Sequence, residues 1–243
     1  TYEPGDKATV LNAVADNAGH YQGFLYTDPN YAEWQNNFLF HSSEDENSTI
    51  YRGDGEQYKL TSASGYYYLW SGHPGLNYVA VDLTSLAWTE TKVERISVTG
   101  DFNNWNLTEN VMTYNSGTRK WEAVCKIGSA GQVKFAFGDG ENGWKWEYGD
   151  SDQDGVMKQG NGEYGIWIGP SGTYKFELDL SSFDAPTYTV TDISRLYAYY
   201  YTKEGTEKLA RATALNLVEG ETRRYEGFLY TDPNYAEWQN NFL

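Results

Sequence analysis

Cysteine is nearly absent from this chain: one, Cys125, in 243 residues. No internal disulfide framework is available, so the fold must rest on its cores. Basic residues are scarce. Lysine and arginine number 18 against 34 aspartates and glutamates, for a formal charge of −16. A nucleic acid or an anionic membrane surface would require a basic stripe, so both are disfavoured as partners, and a neutral ligand is compatible. The three histidines, His20, His41 and His73, are dispersed and show no metal-ligand spacing. Long apolar runs are missing, so neither a membrane-spanning helix nor a signal peptide is visible. The chain begins abruptly, and a signal or lipid anchor is expected to have preceded it. There is no G-x-S-x-G motif and no Cys/His pair for nucleophilic catalysis. No cofactor motif is present.

What is abundant is aromatic: 22 Tyr, 10 Phe and 9 Trp. Together with a low charge content this suits pleated, half-buried surfaces and argues against disorder. Short alternating runs recur between turn signals. Val133, Phe135 and Phe137 point one way, Lys134 and Ala136 the other. Tyr174, Phe176, Leu178 and Leu180 alternate against Thr173, Lys175, Glu177 and Asp179. Trp121, Ala123, Cys125 and Ile127 share a face, which makes Cys125 a buried small hydrophobe. The expected fold is all-β, a tandem array of immunoglobulin-like, carbohydrate-binding-type β-sandwich domains.

Two repeats set the organisation. Every residue from 23 to 39, GFLYTDPNYAEWQNNFL, recurs at 227–243, and the likeness extends back over 8–39 and 212–243. This is a tandem array with a period of about 204 residues. A fainter repeat aligns 66–85 with 163–182, matching Trp70 to Trp167, Gly72 to Gly169 and Asp82 to Asp179. Each period then holds two related domains. We expect domain A at 1–92, without its first strand; a complete domain B at 93–191; and at 192–243 the opening half of a second domain A. Either domain A has no edge strand at that position, or a neighbouring repeat of the same protein supplies one by strand addition.

The chemistry concentrates in domain B. GDFNNWN, 100–106, places Trp105 in an Asn-rich turn after a strand. VKFAFGDGENGWKWEYG, 133–149, carries Lys134 on a strand and Trp144 and Trp146 in the Gly-rich turn beyond it. Trp144 and Trp146 share a face if that stretch is extended. Large rigid indoles stack on the C–H faces of sugars, and an ammonium pointing away from the core donates to hydroxyls. Each residue also has a structural reading: Trp105 as a plug of its turn, Lys134 as a solvated strand lysine, and one of Trp144 and Trp146 packed under the loop. Trp121 and Trp167 read as scaffold, because Trp70 and Trp167 recur before the same turn. At the A-type positions all three of Trp105, Lys134 and Trp144 are missing together, which separates them from the shared scaffold. Domain A has its own aromatic pair in Tyr31 and Trp34.

These residues carry a resemblance. ISVTGDFNNWN followed by VKFAFGDGENGW resembles the glycogen-binding modules of AMP-activated kinase and isoamylase-type enzymes. Domain B as a whole, through GTYKFELDLSS and PTYTV, resembles the repeated modules of SusE/SusF-type surface starch-binding proteins. The resemblance implies a non-catalytic protein that binds polysaccharide, most simply a starch-like α-glucan, through Trp105, Lys134 and Trp144. It also implies lipid anchoring on the outer membrane of a Gram-negative bacterium, beside a glycan transporter complex. Trp146 has no counterpart in the motif, and Glu141-Asn142 lengthen the loop. The alternative is a structural or adhesive stalk built from the same repeats.

One further motif, Asp150-Ser151-Asp152-Gln153-Asp154-Gly155, matches the opening of a calcium loop. Its twelfth position is Asn161 rather than Glu and no helix is expected to flank it, so a solvated acidic loop is preferred, with calcium as the alternative.

Overall fold

The computed structural model describes residues 9–30, 37–43, 48–63, 67–160, 165–169, 171–198, 200–201, 213–221, 224–229 and 241–242. Tyr31, Trp34 and Asn161 lie outside the described residues. The fold is all-β, as the alternation requires, and no helix among the described residues is long and apolar enough to cross a membrane.

In the first segment β1 (Asn12–Ala13), β2 (His20–Thr27), β8 (Gly75–Asp82) and β9 (Ala87–Lys92) form one antiparallel sheet in the order β1-β2-β8-β9. Facing it are short pairs: β3 (Asn37–Phe38) with β7 (Leu69–Trp70), and β4 (Phe40–His41), β5 (Ile50–Gly53) and β6 (Leu60–Thr61) as a ribbon. Leu60, Leu69, Val79, Val81 and Trp88 fill the space between, and Trp88 meets Phe38, Phe40 and Tyr58 edge-on.

The central segment is a two-sheet sandwich. One sheet runs β10 (Arg95–Gly100), β13 (Gly131–Gly138), β14 (Trp146–Gly149), β15 (Lys158–Gln159), with β16 (Ile166–Ile168) also paired to β13. The other runs β11 (Thr113–Asn115), β12 (Lys120–Ile127), β17 (Gly172–Asp179), β18 (Thr187–Asp192). Ile96, Val98, Val133, Phe135 and Phe137 of the first sheet meet Cys125, Ile127, Phe176 and Leu178 of the second, all buried. Period-two alternation places them there, and closing two such faces removes apolar area worth ~25 cal/mol per Å².

The two sheets that contain the longest strands share a register. Tyr21↔Val81 and Thr27↔Gly75 in the first segment correspond to Trp121↔Leu178 and Ile127↔Gly172 in the second. Asn77↔Lys92 corresponds likewise to Tyr174↔Asp192. Even the exit bond recurs: Val93 N donates to Leu76 O at 2.8 Å, and Ile193 N to Thr173 O at 2.8 Å.

The outer faces of these matched sheets differ in chemistry. On the first, Phe24, Tyr26, Leu76 and Tyr78 are apolar, and they pack against the sandwich that follows. Phe24 stacks on Phe137, centroids 5.1 Å apart and planes 11° from parallel, and touches Trp146, Tyr148 and Phe183. Tyr26 lies 3.9 Å from Tyr114. Backbone bonds close the joint: Val10 N donates to Ser181 O, and Phe183 N to Asn12 Oδ1 at 3.1 Å. At the matching positions the sandwich has Val124, Lys126, Thr173 and Lys175. Lys175 sits between Glu122 (3.3 Å) and Glu177 (3.0 Å), a charged ladder in which Val124 is the one exposed apolar side chain of the four.

The third segment has β19 (Arg195–Ala198), β20 (Tyr200–Tyr201), β21 (Thr213–Leu217), β22 (Tyr225–Glu226) and β23 (Asn241–Phe242). Asn216↔Glu226 and Leu217↔Tyr225 repeat the register of Asn12↔Gln22 and Ala13↔Tyr21.

Candidate functional site

The turn after β10 is built on one asparagine. Asn103 Oδ1 accepts from Gly100 N (3.0 Å) and Thr99 Oγ1 (3.1 Å), and its Nδ2 donates to Asn106 O (3.0 Å). Asp101 anchors the turn to the neighbouring strand by accepting from Gln132 N at 2.9 Å. Gly100 is required by close approach, since a Cβ there would overlap Gln132 O. A single 3-10 turn, Asp101–Asn103, leads into two residues in the left-handed region, Asn104 (φ 52°) and Trp105 (φ 59°). Asparagine adopts that conformation cheaply. Tryptophan does so at a cost of ~1–3 kcal/mol, sustained only where the surroundings fix it. Here Trp105 N donates to Gly100 O at 2.9 Å and the Asn103 network holds both ends. The result is a half-buried Trp105 held at the end of the turn.

The second loop is tied in the same way. Asp139 Oδ1 accepts from Asn142 N (2.8 Å) and Glu141 N (3.1 Å), and Lys145 Nζ approaches its other oxygen at 3.2 Å. The Asn142 N–H, with the Lys145 ammonium beside it, holds the Asp139 carboxyl below the ordinary carboxylate range. Trp144 N donates to Asn142 Oδ1 at 2.9 Å. Gly143 has no room for a Cβ because Leu107, from the first turn, packs on it. Ser97 Oγ fixes that residue's carbonyl at 2.6 Å. The two loops are thereby brought together, and the rings of the half-buried Trp105 and Trp144 lie 6.1 Å apart at 43°.

Lys134 and Trp146 do not join this pair as the sequence suggests. Lys134 does face away from Val133, Phe135 and Phe137, opposite Thr99. That face is covered, however, and the residue is only 3% exposed, with Nζ 3.7 Å from Glu147 Oε2. It is a buried structural cation rather than a free donor. Trp146 is 7% exposed, packed on Tyr78 at 5.0 Å and on Phe24 at 6.0 Å. The extended stretch begins only at Trp146, so Trp144 and Trp146 do not share a face, and alternation along β14 sends Trp146 inward with Tyr148. Trp146 is removed as a stacking platform.

Of the two tryptophans read as scaffold, Trp121 packs against the core beside Tyr26 and Tyr114. Trp167 does not: it is 55% exposed on β16, directly opposite Gln132. Its equivalent Trp70 sits opposite Asn37 and is also exposed. Sequence reasoning treated recurrence as a sign of packing. The usable signal was the strand pattern Ile166-Trp167-Ile168, in which only the outer residues face the core.

Three carboxylates, Asp150, Asp152 and Asp154, place oxygens within 4.8 Å of one another. Asp150 is fully buried and is satisfied by Gln153 N, Gly155 N and the Tyr188 hydroxyl (2.7, 2.9 and 2.9 Å). Lys158 Nζ reaches Asp152 at 2.6 Å. Hydrogen bonds within the chain thus account for the loop's geometry.

No family model matches the chain, and no curated protein does. Among solved structures it is similar to SusF from Bacteroides thetaiotaomicron, with 14% identity and a TM-score of 0.28, over 79% of this chain and 46% of that one. The chain thus spans less than half of SusF's length. A likeness this loose adds nothing to the geometric case.

Proposed function

We propose that this is a non-catalytic glycan-binding protein whose central domain, 93–191, stacks a starch-like α-glucan on Trp105 and Trp144. The observation that carries the reading is the strained, half-buried Trp105 held by Asn103 beside a second half-buried tryptophan. A strained residue fixed by a dedicated network is where function is expected. The angle between the rings favours one ligand class. A flat, straight β-glucan presents coplanar sugar faces, whereas a coiling α-glucan turns successive sugars and fits rings tilted by 43°. The domain A we assign to 1–92, and its partial copy at 192–243, have none of these residues at the matching sequence positions. One stacking site per period implies weak binding per module, with repetition supplying avidity. The role fits lipid-anchored display on the outer membrane beside a glycan transporter.

The test is migration of the 243-residue chain in native gels containing soluble starch. Retardation by starch, lost in Trp105→Ala, supports the proposal. Unretarded wild-type protein across α- and β-glucans overturns it. The second reading, a structural or adhesive repeat stalk, is favoured by the aromatic joint around Phe24.

A further inference from the structure

The same residues, GFLY, occur in two environments. Phe24 is 2% exposed, seated in the aromatic pocket made by Phe137, Trp146 and Phe183. Phe228, its copy, is 98% exposed. The approach to the two is alike, although Phe24 lies within β2 beside β8 and Phe228 lies just past β22. The strand registers match, and Gly23 and Gly227 are both crowded by the preceding leucine, Leu11 or Leu215. Asn216, the copy of the Asn12 that accepts from Phe183 N, is exposed as well. A large apolar side chain that recurs beside a copy of the hydrogen-bonding Asn12 is placed to be covered. The matched face of the central sandwich, with Lys175 between two glutamates, shows what the fold places there when solvent is the intended neighbour.

We propose that the Phe228 face is a docking site for a second sandwich module of the sequence 93–192. That module would seat Phe228 in its own pocket as residues 93–192 seat Phe24. The proposal rests on the repeat, not on glycan binding, and a failure of starch retardation leaves it standing. The occupant is a B-type module rather than another A-type one, because only the B-type sequence has the receiving set Phe137, Trp146 and Phe183, with the Ser181 carbonyl and the Phe183 N–H that bond the first segment here.

The test places a thiol at the site with Phe228→Cys and follows its alkylation. Three chains are compared: the 243-residue chain, a chain lengthened after Leu243 by residues 40–92, and one lengthened by residues 40–192. The first two should react promptly, because neither contains a second sandwich. The third should react slower by about tenfold or more, as a buried site does. Speed should return when the added copy of Phe183 is changed to Asp. Cys125, buried in the core, reports folding of each sandwich by remaining unreactive. A second reading is thermal. Phe228→Ala should lower the Tm of the longest chain by several degrees and leave that of the 243-residue chain unchanged. Equal alkylation rates in the two lengthened chains with Cys125 protected, or equal Tm changes, overturn the proposal.

Discussion

The ammonium of Lys134 stands 3.7 Å from the carboxylate of Glu147, with the lysine side chain 4% exposed and the glutamate 19%. The inequality matters, because losing a partner costs most for the group that cannot reach water. Glu147→Gln should destabilise the protein by about 3 kcal/mol in urea denaturation, since it leaves a buried cation unpaired. Lys134→Met should cost clearly less, because the Glu147 carboxylate can rehydrate. Equal costs would mean that the two groups share one environment.

Trp105, Trp144 and Trp146 should separate into two behaviours. Trp105→Ala and Trp144→Ala should weaken starch binding strongly while moving Tm little, as expected for residues only half-buried. Trp146→Ala should instead cost about 3–5 kcal/mol of stability, the usual loss for a buried aromatic. Asn103→Ala should reproduce the binding defect of Trp105→Ala with the indole still present, because it releases the left-handed turn. Full binding in Asn103→Ala would show that the turn does not position the ring.

Phe24 and Phe228 offer a matched pair of substitutions. Phe24→Ala should cost about 3–5 kcal/mol. Phe228→Ala in the same 243-residue chain should stay within about 0.5 kcal/mol, the range of an exposed site. Chemical denaturation of both measures the difference directly.

Alkaline titration should weaken the fold. Burial pushes the Cys125 thiol from 9.0 up to about 12. The Tyr188 hydroxyl is raised by burial and by its bond to Asp150. Groups raised in the folded state contribute stability below their unfolded values and lose it as pH climbs through the folded ones. Between pH 9 and 12 the unfolded thiol ionises while the folded one does not. Unfolding is thereby favoured by about 1.4 kcal/mol per unit of separation. Unfolding midpoints measured across that window should fall, and Cys125 should resist alkylation until they do. A flat profile would show that the thiol is not desolvated.

The β-sandwich was legible because period-two alternation is local: Val133, Phe135 and Phe137 declare their face within five residues. The internal repeat was legible for the same reason. What alternation cannot state is whether the opposite face is covered. Lys134 was correctly placed on the outer side and wrongly given to solvent, because its cover is not written in its own strand. Trp146 was read with Trp144 because its partner Phe24 is remote in sequence, in another segment. Trp167 shows the converse error: recurrence with Trp70 suggested packing, but what recurs is a position on the outer side of a strand. The pairing of Trp105 with Trp144 came through from the motif. The left-handed backbone that holds Trp105 did not, because nothing in NNW distinguishes an ordinary turn from a strained one.

The joint at Phe24 also sets a schedule for synthesis. The first sheet exposes an apolar face whose cover includes Phe183, whose backbone bonds a residue 171 positions earlier. At 5–20 residues per second, a ribosome leaves that face bare for roughly 5–18 s while residues 93–183 are made. During that time Phe24, Tyr26 and Tyr78 are surface residues of a nascent chain. Where translation slows between residues 92 and 183, this waiting face is where a chaperone would be held and where neighbouring nascent chains would adhere.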